Sequence, residues 1–154
     1  MSALKSIKRW FIDPQFSRKK HFLRSLEIFK DLRDAELGYL VQSLHSRTYR
    51  EGEVVFVEGD IGRALFILED GGVELTREGA RAPLYALKPG DFFGEMALLE
   101  SLPRSATATA TAKSHMHLLY KSKLDALLNS EPRIGVTIMS HLARLLSARL
   151  RRAK

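Results

Sequence analysis

The sequence predicts an α+β chain: an antiparallel β-roll, jelly-roll-like and of about eight short strands, flanked by N-terminal and C-terminal helices. Three observations predict it. Apolar residues recur at helical spacing over the first third of the chain and again after Lys121. Between them, short runs rich in Val, Ile and Phe alternate with Gly/Asp turns. No internal repeat and no low-complexity linker divides the 154 residues, a length that suits one domain.

The elements follow in order. Trp10-Phe11-Ile12 precedes Asp13-Pro14, where the proline is expected to block a helix. Residues 17–46 read as helical, with Phe22, Leu26 and Phe29 and then Leu37, Leu40, Val41 and Leu44 on one stripe. A break is expected near Asp31–Asp34, with Asp34 as N-cap. The character changes at Thr48. Glu51-Gly52-Glu53 is a turn, Val54–Val57 a strand, and Glu58-Gly59-Asp60 with Ile61-Gly62 the next turn. Ala64–Leu68 and Val73–Thr76 are strands joined by Asp70-Gly71-Gly72. Leu84–Leu87 continues the roll to Pro89-Gly90-Asp91, and Ser105–Ala112 and His115–Tyr120 alternate as strands do. From Lys121 the pattern is helical. Glu131-Pro132 interrupts it, and Ile134, Ile138, Leu142, Leu145 and Leu146 form one stripe of a final helix. We divide the chain into a basic N-terminal helical segment, residues 1–21, and a single domain, residues 22–154.

Composition narrows the function. There is no cysteine, which removes disulfides, thiolate metal sites and cysteine nucleophiles. No apolar run approaches the length of a membrane span and no secretory signal is visible, so a cytoplasmic protein is expected. Of the net charge of +7, residues 1–24 carry +6 and residues 133–154 another +6, which leaves −5 for the residues between. A uniformly basic nucleic-acid-binding surface does not look like this. The basic ends are either solvated helix faces or contacts to something acidic: a partner, a membrane surface or nucleic acid.

One stretch carries chemistry. Phe92-Phe93-Gly94-Glu95-Met96-Ala97-Leu98-Leu99, then Pro103-Arg104-Ser105-Ala106-Thr107, interrupts the β-roll. A helical turn entered through Gly94 aims backbone N–H groups outward, as an anion site requires. Arg104 offers a permanently charged fork to phosphate oxygens. Glu95 accepts hydrogen bonds from sugar hydroxyls, and Ser105 donates to phosphate or to a base edge. These groups together suit a sugar phosphate.

This string resembles the phosphate-binding cassette, here residues 92–107, of the cyclic-nucleotide-binding domain family. That family includes the sensor domains of bacterial catabolite activator protein, of cAMP-dependent protein kinase regulatory subunits and of cyclic-nucleotide-gated channels. The resemblance extends to Phe29-Lys30-Asp31-Leu32, Arg50-Glu51-Gly52-Glu53, Glu58-Gly59-Asp60, Asp70-Gly71-Gly72-Val73 and Leu87–Asp91, and covers roughly residues 22–150. It implies a binding site for cAMP or cGMP and no metal or other cofactor. Glu95 would bind the ribose 2′-hydroxyl and Arg104 the cyclic phosphate. Gly94, Met96 and Ala97 would supply close backbone approach and amides. Ser105 stands where Thr goes with cGMP and Ala with cAMP, and it leans to cAMP. The last helix would act as a lid, with Leu142, Leu145 or Leu146 capping the base.

The implied function is a stand-alone sensor that does no chemistry of its own and signals by moving its helices, with a protein partner engaged through its basic ends. The rivals are a degenerate domain acting as a ligand-independent interaction module, and a regulator of DNA binding, for which no recognition motif is present. No nucleophile elbow supports an enzyme. His115 and His117 share one face of a strand, but no third metal ligand is apparent, and a solvent-facing strand explains them.

Overall fold

Asp13 and Pro14 open the first helix of the computed structural model, which describes residues 13–153. Residues 1–12 of the expected N-terminal segment lie outside the described residues. Helix α1 runs Pro14–Arg24, so it crosses the 21/22 boundary drawn from the sequence. Pro14 starts this helix instead of blocking it. Its fixed φ suits the first helical position, where its missing N–H costs nothing, and Asp13 Oδ1 accepts from Gln15 N at 2.9 Å. A 3-10 turn, Glu27–Phe29, leads to α2, Asp34–Ser43.

Asp34 is the first residue of α2 and not its cap. Glu36 Oε1 accepts from Arg33 N at 2.8 Å, which is half of a capping box, and Asp34 is left to pair with Lys20 at 2.6 Å. That hydrogen bond holds the Asp34 carboxyl below its ordinary value. At the other end of the chain are α4, Lys121–Ser130, and α5, Pro132–Arg152, with Pro132 again opening a helix.

The chain divides into two units. One consists of the chain's two ends, up to Ser43 and from Leu127; the other is Leu44–Ala126. In the end unit, Leu23, Phe29, Leu37, Leu40, Ile134, Ile138 and Leu142 are buried. Arg133 Nη1 donates to Glu36 Oε1 at 2.6 Å, and His141 Nε2 lies 2.9 Å from Asp31 Oδ2, which ties α5 to α2 and to the segment before it. None of the helices among the described residues is long and apolar enough to cross a membrane.

The second unit is the predicted roll: eight strands in two four-stranded antiparallel sheets, which do not close into a barrel. The strands are β1 His45–Tyr49, β2 Val54–Phe56, β3 Ala64–Asp70, β4 Val73–Thr76, β5 Tyr85–Leu87, β6 Phe92–Phe93, β7 Thr107–Ala110 and β8 Ser114–Tyr120. Their order is β1-β8-β3-β6 in the first sheet and β2-β7-β4-β5 in the second. The Gly71-Gly72 turn therefore carries the chain from one sheet to the other. Tyr49, Phe66, Leu68, Phe93, Met116 and Leu118 of the first sheet meet Val73, Leu87, Ala108 and Ala110 of the second. The Ala/Thr run is explained by this core: Ala108 and Ala110 point inward, and Thr107 and Thr109 do not. Strand β1 begins inside the stretch read as helical. Its residues His45-Ser46-Arg47-Thr48 carry no apolar alternation, and only Tyr49 is buried.

Candidate ligand-binding site

The cassette occupies the connection from β6 through a single helical turn, α3 (Met96–Leu99), to β7. Gly94 makes the entry possible. Its φ is +74°, which disfavours any side chain, and a Cβ there would lie 2.5 Å from Arg104 Nη1. Ala97 N donates to Gly94 O at 3.1 Å and Leu98 N to Glu95 O at 3.1 Å, closing the turn with i to i−3 bonds. Ala97 and Leu98 are buried and anchor the turn, while Met96 is 50% exposed. Glu95 is only 8% exposed, and a nearly buried carboxylate needs partners.

Arg104 is positioned by β2, β3, the Gly59–Asp60 turn and Gly94. Its main chain is clamped to the preceding turn: Arg104 N donates to Asp60 O at 2.6 Å, and Gly59 N donates to Arg104 O at 2.9 Å. Its guanidinium donates through Nη1 to Gly94 O at 3.2 Å and through Nη2 to Ala64 O at 2.8 Å. The same group lies 4.1 Å from the centre of the Phe56 ring and 5.7 Å from that of Phe66. Burial pulls the guanidinium pKa below its ordinary value, and the Glu95 carboxylate opposes this. An arginine stays charged under both influences. Two of its five donors are used on carbonyls, so the fork is oriented and retains donors for an anion.

Gly94, Glu95, Ala97 and Arg104 thus come together around one turn. Ser105 is exposed beside them, and its carbonyl accepts from Arg77 Nε at 3.1 Å. The sequence reading missed Phe56, Phe66, the Ala64 carbonyl and Gly62. A Cβ at Gly62 would come within 3.0 Å of the Arg104 guanidinium, so this glycine is a close-approach residue and not merely part of a turn. Its position just after Asp60 was the only signal available for it.

The comparisons with known proteins fall on this region. The profile of the cyclic nucleotide-binding domain matches residues 46–131, more than half of the chain. The chain belongs to the cyclic nucleotide-binding domain family. A cAMP-dependent protein kinase regulatory subunit of Yarrowia lipolytica is 39% identical over 107 residues, which are 70% of this chain and 28% of that protein. The cyclic AMP receptor protein of Thermus thermophilus is 33% identical over 134 residues, 85% of this chain and 60% of that protein. The chain therefore spans less than two thirds of the length of these relatives. Among solved structures, a cyclic nucleotide-binding domain from Methylobacillus flagellatus has the same fold, with a TM-score of 0.78 at 24% identity over 91% of this chain and 80% of that one.

Of the two histidines read as solvent-facing, His115 is partly exposed and His117 is not. His117 is fully buried in the first sheet, and Glu69 stands beside both rings.

Proposed function

We propose that this chain is a sensor that binds cAMP, or cGMP, through the turn from Gly94 to Ala97 and the side chains of Glu95, Arg104 and Ser105. The observation that carries the reading is the pre-set Arg104 guanidinium. It is bound to two carbonyls, stacked on Phe56 and half-buried, so its geometry is fixed before any anion arrives. A cyclic phosphate at Arg104 would place the ribose toward Glu95. Gly94, Met96 and Ala97 contribute backbone at close range, and Ser105, exposed at the rim, would help choose the base. The names of the relatives from Yarrowia and Thermus speak for cAMP.

The domain acts by regulation and not by catalysis. Ligand shifts the helices only as far as its affinity differs between their arrangements, about 1.4 kcal/mol for a tenfold preference. Leu142 is buried, while Leu145 and Leu146 are half-buried. A protein partner at the basic C-terminal turns, where Arg144, Arg151 and Arg152 are exposed, receives the signal.

The test is calorimetric titration of cAMP and of cGMP into nucleotide-free protein, with Arg104→Ala alongside. Micromolar or tighter binding that the variant loses is the expected result and ranks the two nucleotides. No binding by the wild-type chain would leave a ligand-independent interaction module.

A further inference from the structure

We propose that Glu69, His115 and His117 form a divalent-metal site, suited to zinc, on the first sheet of the roll. The site is independent of the nucleotide reading and uses none of its residues.

Its construction follows from strand pairing. Alternation puts His115 and His117 on one face of β8. In the register with β1, Ser46 lies opposite His117 and Thr48 opposite His115. On the other side of β8, Leu68 pairs with Met116 and Asp70 with His115, so the pairing shifts at Glu69. Ile67 pairs with His117, so alternation along β3 already puts Glu69 on the face of both rings, and it reaches them. Its Oε2 lies 3.0 Å from His117 Nε2 and 3.5 Å from His115 Nε2. One ligand atom from each of the three residues falls within 4.8 Å of the others.

The two oxygen–nitrogen distances fit a metal. Tetrahedral zinc with bonds of about 2.0–2.1 Å separates its ligand atoms by about 3.3 Å, and the two observed oxygen–nitrogen distances bracket that edge. The rings are also held from behind. His117 Nδ1 is 2.9 Å from Ser46 Oγ, and His115 Nδ1 is 3.0 Å from Thr48 Oγ1. A hydroxyl either donates or accepts, so it permits the tautomer with Nδ1–H, in which Nε2 carries the lone pair that binds a metal. The rings meet edge to face, 5.2 Å apart, with both Nε2 atoms converging on one carboxylate oxygen. Two imidazoles and one carboxylate suit zinc among the common divalent ions and leave a fourth position for water. The side chains of His115 and Glu69 are 37% and 27% exposed, which gives an ion a way in, whereas that of His117 is fully buried. The competing occupant is a proton on His117 Nε2, donated to Glu69.

The test uses the tag-free full chain, stripped with a chelator and titrated with zinc chloride by calorimetry. One zinc per chain at micromolar or tighter affinity is expected. His115→Ala and Glu69→Gln should each weaken it by at least ~10-fold, and Ser46→Ala, which removes only the support behind one ring, by about 10-fold. His141→Ala, in the other unit, should leave it unchanged. Cobalt(II) in place of zinc should give the visible absorption of a four-coordinate site, lost in Glu69→Gln. Far-UV circular dichroism checks each variant, and if His115→Ala does not fold, the isosteric Glu69→Gln decides. No stoichiometric zinc, or uptake equal in wild type and Glu69→Gln, overturns the proposal.

Discussion

Strand β3 holds a cation near its start and an anion near its end, and the two clusters are built differently. At Ala64 and Phe66 the partner is the Arg104 guanidinium, received by carbonyl dipoles and ring faces. At Glu69 the partners are two imidazoles, received by a full negative charge. Dipoles orient a cation without cancelling it, so Arg104 projects positive potential that suits a phosphate, with Glu95 close enough to moderate it. A carboxylate beside two imidazoles instead offers up to three lone pairs to a positive ion. The nature of the holding groups, and not depth of burial, decides which sign of ligand each cluster suits.

The comparison can be broken most forcefully at Arg104. Arg104→Ala removes a two-pronged charged hydrogen bond, and the nucleotide affinity measured by calorimetry should fall by about 3 kcal/mol, roughly 100-fold. Zinc affinity should not change, since the two clusters share no side chain. Next in size is Gly94→Ala. The positive φ and the crowding of Arg104 Nη1 should lower stability by about 1–2 kcal/mol in chemical denaturation and weaken nucleotide binding with it.

A surface ion pair sets the baseline for both clusters. Asp34, largely exposed, pairs with Lys20, and the pair is worth at most about 1 kcal/mol. Because the folded-state pKa of Asp34 is lowered, its contribution is full above the ordinary aspartate value of about 3.9 and is lost as pH falls through the folded value. The melting-temperature gap between wild type and Asp34→Asn should therefore close as pH falls from about 6 to 3. Smallest of all is Met96→Ala. The residue is half-exposed and its proposed role is main-chain, so nucleotide affinity should stay within about 0.5 kcal/mol of wild type.

Elements with their own apolar rhythm were legible in the sequence. The Val/Ile/Phe strands, the Gly/Asp turns between them and the α5 stripe all follow from local pattern. Strand β1 was not legible, because an edge strand with polar side chains lacks that pattern. Nor was two-residue β6, which reads as part of the cassette. Pro14 was misread because a proline that stops one helix also starts another, and only the Asp13 cap distinguishes the cases. The cassette stood out because its chemistry is contiguous, from Phe92 to Thr107.

By itself, then, the sequence determined the β-roll between helices, the cassette and the family those residues resemble, all of which depend on neighbours along the chain. Only the tertiary structure decided what surrounds Arg104: Phe56, Gly62 and the Ala64 carbonyl, the last of them 40 residues earlier. It also decided that His117 meets Ser46, 71 residues away, and that the pairing of β3 with β8 brings Glu69 to both histidines, which no spacing announced. The physical reason is common to both. Strand register and sheet order set which side chains meet across the roll, and they come from burying one shared core, a property of the whole chain and of no segment of it.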